Sequence, residues 1–229
     1  MTRMQALEWL LFGMAFVSML GGFAFVLFGL PPEAGQGYVQ KIFFFHVPSA
    51  FMMYAGLLLG AGGSAFYLYE KKPVYDCVAE AGMTMATFFA TIVIVSGPLW
   101  AKPIWGVYWT WDPRLTTTLV LYILLLAYHS IRRIYREPAT QSKARAFSAI
   151  VAILTLIDAP LIHFSVKLWR GIHPTVLRNP DGLPESYRSA LELMIIAFML
   201  TASVIFLMLF RICKLKHRID STQIGDRHG

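Results

Sequence analysis

Long charge-free apolar stretches alternate with short polar segments along the whole chain. Residues 9–30, 42–69, 81–101, 115–131, 146–166 and 193–210 contain no Lys, Arg or Glu and a single Asp. At 17 to 28 residues each, these runs have the length of helices crossing an apolar layer of ~30 Å. Transmembrane strands would show alternation in segments of about ten residues, and none is seen. The pattern predicts an all-α integral membrane protein, a bundle of six transmembrane helices forming one polytopic domain over residues 1–229. The first run is long for a signal peptide, and Pro31-Pro32-Glu33 after it shows no small-residue cleavage pattern, so it reads as a retained anchor.

Composition narrows the picture. With 57% hydrophobic and 14% charged residues, the chain far exceeds what a soluble core needs. Too little polar sequence remains for a sizeable soluble or nucleotide-binding domain, and no Gly-x-x-x-x-Gly-Lys-Ser/Thr loop occurs. Any ATP dependence therefore belongs to a partner.

The distribution of Lys and Arg gives the net charge of +7 a meaning. With the N-terminus inside, the inner set is Arg3, Lys71, Lys72, Arg132, Arg133, Arg136, Lys143, Arg145, Arg211, Lys214, Lys216, Arg218 and Arg227. The outer set is Lys41, Lys102, Arg114, Lys167, Arg170, Arg178 and Arg188. Thirteen against seven predicts both termini in the cytoplasm. Topology accounts for the basic excess, and no nucleic-acid motif is present. Cys77 and Cys213 both fall at inner helix ends, where a disulfide is not expected in a reducing compartment. Without Cys-x-x-Cys or Cys-x-x-Cys-His, neither dithiol chemistry nor covalent haem attachment is expected of this chain.

Candidate chemistry gathers on the outer side. Residues 100–114, WAKPIWGVYWTWDPR, hold four of the six tryptophans. One or two rings per helix end make an ordinary aromatic belt; this density favours a flat platform for a large planar π-ligand. Trp105, Tyr108, Trp109 and Asp112 would share one face of a short interfacial helix. Asp112-Pro113 equally reads as an N-cap and first helical residue, with a carboxylate able to orient nearby indole N–H groups. His46, in Phe43-Phe-Phe-His-Val-Pro48, and His163, in Pro160-Leu-Ile-His-Phe-Ser165, lie at comparable depth on different helices. Two imidazoles so placed are the usual axial ligands of a b-type haem, although a lone intramembrane His more often bonds a neighbouring helix.

Arg114 is the first choice for pairing with propionates, with Lys102, Lys167 and Arg170 behind it; snorkelling would place all four equally well. Asp158, the one acidic residue within a span, is costly in lipid and carries either a function or a strong partner such as a Tyr, Ser or Thr. His129 lies at the inner end of the fourth span and His217 and His228 in the basic tail, while His173, in the outer loop after the fifth span, is within reach of the site but has no matching partner in the sequence. Gly56, Gly60 and Ser64 form a small-residue stripe for close helix packing, within the chain or against a partner span.

The 100–116 segment strongly resembles the WWD motif of the haem-handling proteins of cytochrome c maturation. His46-Val-Pro48 and Pro160-Leu-Ile-His163-Phe-Ser165-Val resemble that family's two flanking histidine motifs. The three motifs stand in the family's order, and the likeness covers nearly the whole chain up to the sixth span. The short chain with six spans is unlike the larger synthase of the other maturation pathway. The resemblance implies a haem-binding and delivery protein of the bacterial inner membrane, not an enzyme, with its functional face periplasmic. It implies haem b as transported ligand, His46 and His163 as axial ligands of the iron, and Trp100, Trp105, Tyr108, Trp109, Trp111, Asp112 and Arg114 around it. Implied partners are a membrane-anchored periplasmic haem chaperone, ATP-binding-cassette subunits and a small single-span subunit, besides membrane lipids. A b-type electron-transfer protein is the alternative, expecting deeper and often paired ligands. A transporter of another substrate would favour an inverted repeat with polar groups near the midplane, and neither is apparent.

Overall fold

A computed structural model describes residues 3–134, 138–169, 171, 173 and 183–225. Arg136, Arg170, Arg178, Arg227 and His228 lie outside the described residues, and the side chain of Arg3 is not described. The helices are α1 (Arg3–Ala24), α2 (Phe43–Glu70), α3 (Pro73–Trp105), α4 (Pro113–Ile134), α5 (Pro138–Leu168) and α6 (Glu185–Gly225). A π turn, Phe25–Gly29, prolongs α1, and a 3₁₀ turn, Tyr38–Ile42, leads into α2. Among the described residues, six helices are long and apolar enough to cross a membrane, so the chain is a multi-pass all-α membrane protein, as the hydrophobic pattern predicts.

The helices overrun the charge-free runs because backbone hydrogen bonding continues past a charge that reaches water. The sixth run covers residues 193–210, whereas α6 has 41 residues, about 60 Å at 1.5 Å per residue. Three helix starts follow local rules: Pro73, Pro113 and Pro138 each open a helix, where the missing N–H costs nothing. Internal prolines (Pro48, Pro98, Pro103 and Pro160) lie within α2, α3 and α5, each releasing a carbonyl one turn earlier.

Two compact units make up the structure. The first comprises Met1–Met52, Phe89–Leu119 and Leu161–Val204. Here α1 meets α6 closely at Gly22, where a Cβ would come within 2.7 Å of Met194 Sδ. Lys41, buried, donates to the Leu27 carbonyl at 2.7 Å, satisfying an orphan acceptor at the end of α1. Tyr187 at the start of α6 donates to the Pro31 carbonyl at 2.7 Å and packs on Phe44.

The second unit comprises Met53–Phe88, Val120–Pro160 and Ile205–Gly229. Its α2 and α3 portions touch backbone to backbone. A Cβ on Gly56 would meet Ala86 N at 2.7 Å, one on Gly60 would meet Met83 Sδ at 2.6 Å, and one on Gly63 would meet Ala79 N at 2.6 Å. The small-residue stripe thus packs within the chain, with Gly63 as a further member. Only Lys71 and Lys72 join the two helices, and Lys71 takes the left-handed conformation at φ 57°, donating its N–H to Tyr67 O at 2.8 Å.

A buried ion network ties the starts of α3 and α5 to the last turn of α4. Arg132 donates to both Asp76 oxygens, at 2.6 and 3.0 Å, and to Glu80 at 2.8 Å. Arg145 Nε lies 3.2 Å from Asp76. Beside it, Cys77 of α3 and Cys213 of α6 form a disulfide, with Cα atoms 5.4 Å apart. This corrects the expectation of two separate thiols, which rested on the compartment alone. Packing brings together two buried side chains that are 136 positions apart.

Candidate functional site

The first unit gathers the site residues that the motifs single out. His46 lies one turn into α2, half-buried, and its Nδ1 is 2.9 Å from Ser96 Oγ on α3. Ser96 has one proton to donate, and it donates to the Ile92 carbonyl at 2.6 Å. Its oxygen therefore accepts from His46 Nδ1–H, which leaves the lone pair on Nε2. A neutral imidazole held in that tautomer by a hydrogen bond on its other nitrogen is the form that ligates a metal. Gly97 lies next to the ring, with room for a Cβ 3.5 Å from His46 Cε1. Trp100 stands edge-on to His46 at 6.0 Å between centroids and donates its indole N–H to Gln36 Oε1 at 2.9 Å. Neither Ser96 nor Gln36 stood out in the sequence, since their partners lie 50 and 64 positions away.

The tryptophan segment differs from the helix expected of it. Helix α3 runs on through Trp100 and Trp105, and Gly106 at φ 77° ends it. Its amide donates to the Lys102 carbonyl at 3.0 Å, and the Lys102 ammonium returns to the Gly106 carbonyl at 2.8 Å. Residues 107–112 are non-helical. The expected interfacial helix over Trp105, Tyr108, Trp109 and Asp112 is not formed, because Gly106 leaves the helical region and Pro113 starts a new helix. Lys102 also covers the exposed Tyr108 ring, at 5.3 Å. Trp111 is 76% exposed and meets the edge of Trp109 at 6.0 Å.

Asp112 is the N-cap of α4: its Oδ1 accepts the Arg114 N–H at 2.9 Å, and its carbonyl accepts the Thr116 N–H at 2.9 Å. It is 6% exposed, and a Cβ on Gly171 would sit 2.7 Å from its Oδ2, so Gly171 rests on this cap. Asp112 does not take the Trp109 indole proton. Trp109 Nε1 and Thr110 Oγ1 are both buried and have no hydrogen-bond partner among the described residues.

Arg114 reaches towards the end of α5. Its Nε donates to the Ile162 carbonyl at 3.4 Å and its Nη1 to His173 Nδ1 at 3.0 Å. His173, without a matching partner in the sequence, thus has one in the fold. His163 follows Ile162 directly, with an exposed ring edge-on to Phe164 at 5.1 Å. Lys167, one turn further along α5, is exposed. In the second unit, His129 bonds Thr87 at 2.9 Å. Asp158 of α5 is 8% exposed, and its Oδ2 has no hydrogen-bond partner among the described residues.

A sequence model of the heme exporter protein C family matches residues 1–225. Heme exporter protein C of Bradyrhizobium diazoefficiens is 31% identical over 197 residues, covering 85% of this chain and 74% of its own. That of Escherichia coli K12 is 28% identical over 196 residues, covering 85% and 77%. The Paracoccus denitrificans protein of the same name is 28% identical over 170 residues, covering 73% and 68%. The likeness drawn from the three motifs is the one these matches bear out.

Proposed function

The chain belongs to the heme exporter protein C family, and on that premise we propose that it binds haem b as cargo at the periplasmic membrane surface and delivers it for c-type cytochrome biogenesis. One observation supports a ligand at the tryptophan segment above all: Trp109 Nε1 and Thr110 Oγ1 are buried donors without partners among the described residues. Each such group costs about 1–3 kcal/mol when left unsatisfied, and a carboxylate-bearing ligand between the aromatic rings removes that cost. His46 adds a nitrogen lone pair held by Ser96. His163 supplies the second imidazole, from the exposed end of α5.

Around the macrocycle, Trp100, Trp105, Tyr108, Trp109 and Trp111 form the apolar surround, and Asp112 fixes the start of α4 so that Arg114 stands beside it. Arg114 pairs with a propionate from the position where it now holds the Ile162 carbonyl. Haem supplies the iron that the two histidines ligate; the protein itself makes and breaks no covalent bond. The work of ATP hydrolysis falls to ATP-binding-cassette partners, with a small single-span subunit beside them and a membrane-anchored haem chaperone as recipient. In this reading the chain sits in the bacterial inner membrane with both termini cytoplasmic.

The test is the absorbance of the detergent-purified protein from haem-replete cells. A Soret band that weakens or shifts in His46→Ala and in His163→Ala is expected. A haem-free protein with or without the co-expressed chaperone overturns the reading. Haem that stays bound and never reaches the chaperone turns it into a b-type electron carrier.

A further inference from the structure

The second unit holds a cluster that haem handling does not use. Cys77 enters from α3, while Cys213 and His217 stand one turn apart on α6 and so point to the same side. One ligand atom from each of the three lies within 4.8 Å of the other two. Both cysteines are buried, and His217 is half-buried. We infer that the dithiol form of this cluster is a binding site for a transition-metal cation of the zinc class, held by Cys77, Cys213 and His217.

Three features carry the assignment. The donor set is two sulfurs and an imidazole, which suits Zn²⁺ and excludes the oxygen-seeking Mg²⁺ and Ca²⁺. Asp76 and Glu80 pair with Arg132 and Arg145 beside it, and a divalent cation between two buried thiolates stabilises their charge where they stand. Finally, the ring of His217 is oriented from outside. Asp76 Oδ2 lies 3.5 Å from Nε2, the outer carboxylate that metal-bound histidines commonly have. The other ring nitrogen, Nδ1, lies 3.5 Å from Arg145 Nη2, at the limit of a hydrogen bond. Glu80 offers a further oxygen donor, since it groups with Asp76 and Cys213 within the same 4.8 Å, and water completes the shell otherwise.

The disulfide is the metal-free, oxidised form of the same site. A dithiol reductant transfers two electrons and two protons to the paired sulfurs and leaves as its own disulfide. Zn²⁺ then replaces the two thiol protons, which pass to solvent. In the proposed orientation this face is cytoplasmic, where cellular dithiols supply the reductant; the purified protein tests the site independently of that orientation.

The experiment adds Co²⁺ as a spectroscopic probe to the full-length protein in detergent, reduced with a dithiol that is then removed. One equivalent giving a thiolate-to-cobalt charge-transfer band, bleached by one equivalent of Zn²⁺, is the expected result. Cys77→Ser and Cys213→Ser lose the band, and His217→Gln weakens binding by at least ~10-fold. Should the cysteine variants not fold, alkylation of the reduced wild-type thiols serves instead and must abolish the band. No band in the reduced protein, a band that survives alkylation, or a disulfide that resists the dithiol in the folded state each overturns the assignment.

Discussion

Ser96 has one hydroxyl proton, and giving it to Ile92 decides which nitrogen of His46 is available. Ser96→Ala removes the acceptor for Nδ1–H and lets the tautomers mix. Haem retention by His46 is expected to weaken about 10–100-fold, as for other residues that orient a ligating histidine, while Ser96→Thr keeps it. Haem titration followed at the Soret band checks both. The buried network of the second unit gives the other prediction at this scale. Arg132→Met leaves Asp76, which is 1% exposed, without its bidentate partner. A loss of roughly 3–5 kcal/mol in unfolding free energy is expected, measurable by denaturant titration in detergent. Asp112 shows how one residue can satisfy two readings. The capping bond that its sequence context predicts is formed, and the same cap sets Arg114 in place beside Ile162 and His173.

Among the elements, the pair α2 and α3 is the most tightly constrained. Gly60→Val pushes a branched side chain into Met83 and the α3 backbone, and overpacking of this kind costs about 1–3 kcal/mol. A lowered thermal midpoint in detergent is the expected readout, with Gly62→Ala as control, since a Cβ there meets nothing within 4 Å. The two-residue link makes the opposite case. Lys71 holds a left-handed conformation that costs a side-chain-bearing residue about 1–2 kcal/mol. Lys71→Gly is therefore expected to raise stability modestly, provided the added chain entropy of glycine does not exceed that gain; the same thermal measurement decides it.

The charge-free runs made these helices legible, and Asp112-Pro113 the start of α4, whereas the starts of α3 and α5 at Pro73 and Pro138 lie ahead of the runs. The expectation of an interfacial helix followed the spacing of Trp105, Tyr108, Trp109 and Asp112 across Gly106, where the helix ends. A glycine ends a helix only where its neighbours let φ turn positive, and a one-dimensional pattern does not carry that information.

At the scale of the whole molecule, the proposed orientation is directly testable. Lys72→Cys, exposed between α2 and α3, and Lys102→Cys, exposed near the end of α3, should lie on opposite sides of the membrane. In intact spheroplasts an impermeant maleimide is expected to label Lys102→Cys and to spare Lys72→Cys, against a wild-type control whose two native cysteines are buried. Labelling of Lys72→Cys alone inverts the topology.

By itself the sequence determined six spanning helices, the small residues that let two of them approach, the cap on α4 and the family. Each of these depends on local hydrogen bonding, on burial of one apolar run, or on a motif contiguous in the chain. Tertiary structure decided what depends on residues far apart in sequence. The tautomer of His46 is set 50 positions away at Ser96, and Arg114 meets His173 across 59 positions. Asp76 is shared by Arg132 and Arg145, and Cys77 meets Cys213. A hydrogen bond or a sulfur pair needs two groups within a few ångströms, and only packing of the helices brings such groups together.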